Sequence, residues 1–204
     1  MAENKLAVKD FFIGCTSFIN KNKLYQKGVK SKIMENMVIL VDTREKKNDH
    51  ILKYFNRYNI NYEVKKLDVG DYSYYVKPNE FIQYGLNAEN MFTIDRKQDV
   101  NEIVGNIIQD RERLEKEFMR AYSKRMRFYL LIEEPTILDK ILAGDYISKA
   151  NANSVVNSLI TFCDRYNILP FNVSRNNAAK YIINLCRCNL SNEITEGAYA
   201  SRWR

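Results

Sequence analysis

The chain has 204 residues, enough for one compact domain with a small extension at either end. Hydrophobic residues at 46% and charged residues at 28% exclude an intrinsically disordered chain, and no apolar run approaches the roughly 20 residues of a membrane-spanning helix. A net charge of +7 favours a polyanionic partner, because each lysine or arginine that neutralises a phosphate releases counterions.

Residues 1–36 carry Lys5, Lys9, Lys21, Lys23, Lys27, Lys30 and Lys32 against Glu3, Asp10 and Glu35. They show no clear strand or long amphipathic helix and read as a loosely organised basic arm. The apolar segment 11–19 is short, is interrupted by Gly14, Thr16 and Ser17, and lacks a small-residue cleavage site, so a secretory signal is not expected. Val38 to Val41 is a continuous apolar run, the mark of a strand buried on both faces. A short helix is expected over 49–58, with Ile51, Leu52 and Phe55 on one face and His50 on the surface. Strands are expected at 62–67, 72–76, 81–84 and 91–94, with Gly70-Asp71 as a turn ahead of the second. Alternation along 72–76 sends some of Tyr72, Tyr74 and Tyr75 into the core and away from any base-stacking role.

One long helix is expected over 99–123, with Ile103, Ile107, Leu114, Phe118 and Tyr122 at helical spacing. Phe128 to Ile132 is a second fully apolar strand, and Glu133-Glu134 ahead of Pro135 read as the start of a short helix, with a place near the functional site as the alternative. Helices over 152–166 and 176–188 enclose a strand at 168–173, and 191–204 lacks periodicity, as a frayed tail would. This alternation predicts an α/β domain, a mixed sheet flanked by helices on both faces, over residues 37–190. Cys15, Cys163, Cys186 and Cys188 form no Cys-x-x-Cys pair and read as free thiols in a reducing cytoplasm.

Acidic residues gather at the ends of these strands. Asp42 follows the first, Asp71 sits in the Gly-Asp turn, and Asp95-Arg96-Lys97 ends the strand before the long helix. Strand side chains alternate, so Asp95 and Lys97 share a face while Arg96 points away. Phosphodiester hydrolysis needs its developing charge neutralised and hydroxide supplied near neutral pH. Carboxylates holding Mg²⁺ or Mn²⁺ serve both needs, and a lysine beside them stabilises the charge that develops.

The ordered segments Val41-Asp42-Thr43-Arg44-Glu45, Val69-Gly70-Asp71-Tyr72 and Ile94-Asp95-Arg96-Lys97 resemble the nuclease domain of the XPF family of structure-specific endonucleases. The resemblance continues through Asp110–Phe118, Tyr129–Glu133 and Ala143–Tyr146, covers about residues 37–190, and looks closest to small phage and prophage members. It implies a restriction-endonuclease-like fold and a metal-dependent endonuclease acting on branched DNA such as flaps, forks or Holliday junctions.

By that resemblance Asp71 and Asp95 are metal ligands, Lys97 positions water or stabilises charge, and Arg96 supports the site. Asp42 is expected as a further ligand, with Glu45 adding negative charge. Arg44, Arg111 and Arg113 are expected to meet DNA, with surface ion pairs the alternative for Arg111 and Arg113. The family's glutamate is Asp95 here, and its final aspartate falls on the neutral Asn101, flanked by Asp99 and Glu102, either of which could substitute. Too few residues follow 190 for the helix-hairpin-helix module of larger relatives. Substrate choice is therefore expected from homodimerisation, the basic arm or a DNA-binding partner protein, in the cytoplasm of a bacterial or phage-infected cell. A non-catalytic DNA-binding scaffold and a sequence-specific restriction-type nuclease are the competing functions.

Overall fold

The computed structural model describes residues 28–200. Seven strands form one mixed sheet: β1 (Met37–Val41), β2 (Tyr62–Val64), β3 (Tyr72–Val76), β4 (Leu86–Asn87), β5 (Phe92–Lys97), β6 (Arg127–Ile132) and β7 (Ile168–Asn172). Their order is β2-β1-β3-β5-β6-β7, with β4 paired to β3. β1 pairs parallel to β2 and antiparallel to β3; β3 is antiparallel to β5; and β5, β6 and β7 run parallel.

The helices are α1 (Val29–Glu35), α2 (Asp49–Arg57), α3 (Val100–Ile108), α4 (Arg111–Ser123), α5 (Ile137–Ala143), α6 (Ala152–Tyr166) and α7 (Ala178–Ala200). The two faces of the sheet carry separate apolar cores. Along β5 and β6, Phe92, Ile94, Tyr129 and Leu131 join the core shared with α1, α2 and α7, while Phe128, Leu130 and Ile132 join the core of α3 to α6. Period-two alternation in strands covered on both sides produces this division. Full burial of side chains such as Phe92 and Ile94 contributes about 1.5–3 kcal/mol each.

Several expectations are corrected. Residues 29–35, read as part of a loosely organised basic arm, form α1, whose Val29 and Ile33 are buried; residues 1–27 lie outside the described residues. The expected tail is helical as far as Ala200, and Leu190 and Ile194 pack in the core. The expected strand at 81–84 is a turn held by Asn79 Oδ1, which accepts from the Phe81 and Ile82 N–H groups, and pairing resumes only at Leu86. Pairing in β2 stops at Val64, because Leu67 turns its N–H to Asp42 instead. The single helix over 99–123 is two helices broken at Gln109-Asp110. The seven-residue spacing from Ile107 to Leu114 keeps the apolar phase across the break, which hides it in the sequence.

One edge of this sheet brings the acidic residues together. β1 and β5 both run toward that edge, and β3, antiparallel between them, starts there. Asp42, Asp71 and Asp95 therefore converge although 53 residues separate the first from the last. Backbone hydrogen bonds fix the register: Asp42 N–H to Asp71 O and Asp71 N–H to Ile94 O, both 2.8 Å.

Candidate active site

Asp95 and Lys97 lie on one face of β5, as the strand period requires, with side chains 4% and 6% exposed. Lys97 Nζ is 2.8 Å from both Asp95 carboxylate oxygens and donates to Oδ1. Burial alone would lower the lysine pKa, but Asp95 and Asp71 outweigh it and hold the ammonium protonated. Asp71 approaches from the Gly70 turn, and its Oδ2 accepts from the Arg96 N–H at 2.7 Å. Burial and the Asp95 carboxylate push the Asp71 carboxyl well above its ordinary value, and Lys97 and the Arg96 N–H offset this only in part. Like charge concentrated between the buried Asp95 and the partly buried Asp71 is what a divalent cation relieves.

Gly70 makes this approach possible. Its φ of +70° lies in the left-handed region, and a Cβ there would overlap Thr93 Oγ1 and come within 3.1 Å of the Ile94 carbonyl oxygen.

Asp71, Asp95 and Lys97 open into a cleft of about 340 Å³. Arg44, Lys46, Lys47 and Arg113 also line it, as do Glu45, Glu102, Asn106 and Glu117. Acidic floor and basic rim thus share one concavity. Arg96 points to the opposite sheet face, as expected. Its guanidinium pairs with Glu45 at 3.0 Å and Glu133 at 3.2 Å, and it donates to the Lys47 carbonyl at 3.2 Å.

Other expected residues fall elsewhere. Asp42 does not line the cleft: its carboxylate accepts from Arg44 N, Nε and Nη2 and from Leu67 N–H, which engages both of its oxygens. Burial pushes the Asp42 carboxyl up, but these hydrogen bonds outweigh it and hold it below the ordinary value. Among the described residues no three His, Cys, Asp or Glu side chains are grouped to hold a metal, and the cleft floor offers two carboxylates, Asp71 and Asp95. Mg²⁺ is commonly held by one or two carboxylates with water and substrate phosphate completing its shell, and this pair fits that mode.

Of the three residues around the family's last acid, only Glu102 lines the cleft, and it also accepts from the Gln98 N–H. Asp99 caps α3 by accepting from the Glu102 N–H, and Asn101 accepts from the Ile147 N–H. Arg111 packs on α6, 3.0 Å from Ser158 Oγ and 4.6 Å from the Phe162 ring centroid, outside the cleft. Arg113 is on the cleft wall, exposed and loosely paired with Asp110 and Glu117.

Sequence reasoning missed four features. Glu117, on the 99–123 helix segment, accepts from the Gly70 N–H and its side chain is 14% exposed, a consequence of α4 packing that no local signal carries. Asn106 lines the cleft. Lys46 and Lys47 do so too, and their adjacency to Arg44-Glu45 was a usable signal. Glu133, read as a helix start, is fully buried and takes His50 Nε2 at 2.7 Å, so His50 is not a plain surface residue.

Comparison with known proteins bears on the fold and the family. No curated protein matches the sequence. Two solved structures of XPF from Aeropyrum pernix share the fold, both with a TM-score of 0.54. The first is 16% identical and aligned over 76% of this chain and 67% of its own. The second, in complex with DNA, is 15% identical and aligned over 76% of this chain and 66% of its own. The model of the ERCC4 domain matches residues 41–185, from the end of β1 well into α7 and across every cleft residue. The chain therefore belongs to the ERCC4-domain family.

Proposed function

We propose that the chain is a divalent-metal-dependent endonuclease that hydrolyses phosphodiester bonds in branched DNA. The observation that carries this reading is the juxtaposition of Asp71, Asp95 and a protonated Lys97 on the floor of a cleft rimmed by Arg44, Lys46, Lys47 and Arg113. Membership of the ERCC4-domain family and the likeness to an XPF solved with DNA support it.

Asp71 and Asp95 would hold Mg²⁺ or Mn²⁺, which supplies Lewis acidity at the phosphoryl oxygens and lowers the pKa of water. Lys97, held against Asp95, offers a fixed positive charge to the developing oxyanion. Buried and held by Asp95, it needs little reorganisation as the reaction proceeds. The rim cations neutralise flanking phosphates and set the backbone over the acid pair. Arg44 is held by Asp42 and by the Leu67 carbonyl, so its guanidinium is fixed before substrate arrives.

The preference for branches, the kinship with small phage members and assembly as a homodimer or with a DNA-binding partner are parts of this proposal that rest on the resemblance. A cytoplasmic location belongs to the same proposal and rests on the same resemblance. No described helix is long and apolar enough to cross a membrane.

The test is cleavage of labelled four-way junction, flap and linear duplex DNA with Mg²⁺, Mn²⁺ or EDTA, beside Asp71→Asn and Asp95→Asn proteins. Metal-dependent cutting of branched DNA, lost in both variants, is expected. Discrete fragments from linear duplex would indicate a sequence-specific nuclease. Binding without cutting under every condition would indicate a scaffold.

A further inference from the structure

Resting on that reading, we infer that Glu133 is a positioning residue: it clamps the end of β5 from the far face of the sheet and so sets where Asp71 and Asp95 meet. Glu133 follows β6, and its side chain has no exposed surface. A buried carboxylate is costly unless cations and hydrogen bonds surround it. Three elements supply them: Arg96 of β5 at 3.2 Å, His50 of α2 at 2.7 Å, and Arg175 of the turn before α7 at 3.3 Å.

The same residue also grips β5 through its backbone, because the Glu133 N–H donates to the Lys97 carbonyl at 2.9 Å. Two consecutive residues of the Asp95-Arg96-Lys97 segment are thus held by the one residue that follows the neighbouring strand. The second link is Arg96 itself. Its side chain is fixed between Glu133 and Glu45, and its backbone N–H holds Asp71 Oδ2 at 2.7 Å. The path from Glu133 to the acid pair is therefore one ion pair, one residue and one hydrogen bond. Neither Glu133, His50 nor Arg175 lines the cleft, so none is placed to meet DNA there.

Glu133→Gln keeps the side chain's shape and an acceptor but removes the charge that opposes Glu45 across Arg96. The experiment compares wild type, Glu133→Gln and Arg175→Ala in three readouts. These are the ¹H shift of the Arg96 amide in metal-free ¹⁵N-labelled protein, Mn²⁺ affinity by EPR, and kcat and KM on a branched DNA substrate. In Glu133→Gln the Arg96 amide proton should move upfield as its bond to Asp71 weakens. Mn²⁺ affinity and kcat should each fall about 10–100-fold, the usual cost of losing an outer-shell partner. KM, and duplex affinity in EDTA, should stay within about twofold. Arg175→Ala removes a half-exposed partner and should shift every readout in the same direction by less; it carries the test if Glu133→Gln does not fold.

An unmoved Arg96 amide with wild-type Mn²⁺ affinity in a folded variant would overturn the inference, as would a loss confined to KM. Wild-type protein that cuts nothing would overturn the nuclease reading alone, because the amide shift is read without metal or DNA.

Discussion

Gly70→Ala is the substitution whose cost the structure defines most closely. The new methyl group meets two penalties. An alanine at φ of +70° costs about 1–2 kcal/mol relative to glycine. Overlap with Thr93 Oγ1 adds about 1–3 kcal/mol, the range for overpacking a filled interior. Thr93 cannot simply rotate away, because its hydroxyl donates to the Val69 carbonyl at 2.8 Å and its side chain is buried. The sum is about 2–5 kcal/mol, to be read by urea unfolding of wild type and variant.

A double-mutant cycle separates the parts. Thr93→Ala removes the overlapping oxygen, so Gly70→Ala in that background should cost only the backbone share, about 1–2 kcal/mol. The displaced turn carries Asp71, so cleavage should fall more steeply than stability alone explains; misplacement by about 1 Å can cost 10²-fold. Equal costs in both backgrounds, or a total below about 1 kcal/mol, would refute the claim that close approach of the turn to β5 requires glycine.

Lys97→Ala should lower kcat by about 10²–10³-fold, the range for losing one preorganised charge-stabilising donor, with duplex affinity in EDTA little changed; a loss in affinity alone would contradict its assignment to the reaction. Asn101→Asp should raise neither Mn²⁺ affinity nor kcat, because Asn101 faces Ile147 and not the cleft, and titration of Mn²⁺ would expose any gain. Asp42→Asn should destabilise the fold by about 1–3 kcal/mol at pH 7, through weakened bonds to Arg44 and Leu67. Because the folded Asp42 pKa lies below its ordinary 3.8, its contribution is present above that value and is lost as pH falls through the lower one. The gap between wild type and variant should therefore narrow as pH falls below 3.8, and a gap that widens in acid would contradict the role given to the carboxylate. Lys46→Ala combined with Lys47→Ala should reduce the slope of log K against log salt for duplex binding by about 1.8, or about 0.9 per lost phosphate contact; an unchanged slope would remove both lysines from the interface.

The α/β class, the two fully apolar strands and the shared face of Asp95 and Lys97 were legible in the sequence. Each depends on local periodicity or on the alternation of a strand, which tertiary packing does not alter. The roles of Asp71, Asp95 and Lys97 were suggested by ordered motifs, and the sheet supplies the reason for that order: two strands end and one begins at the same edge. What periodicity could not reveal is how charges are matched across the fold. Asp42 has the same acidic chemistry as Asp71, yet Arg44 and the Leu67 N–H occupy it, and only the path of the chain after β2 brings Leu67 there. Glu133 and Glu117 looked like ordinary helix acids, but packing placed one behind the site and the other against Gly70. Arg111 and Arg113 are two residues apart on α4; one packs on α6 and the other reaches the cleft, a division set by where neighbouring helices lie. The sequence determined which residues had the chemistry for the site. The tertiary structure decided which of them were free to use it, because burial and ion pairing depend on partners distant in the chain.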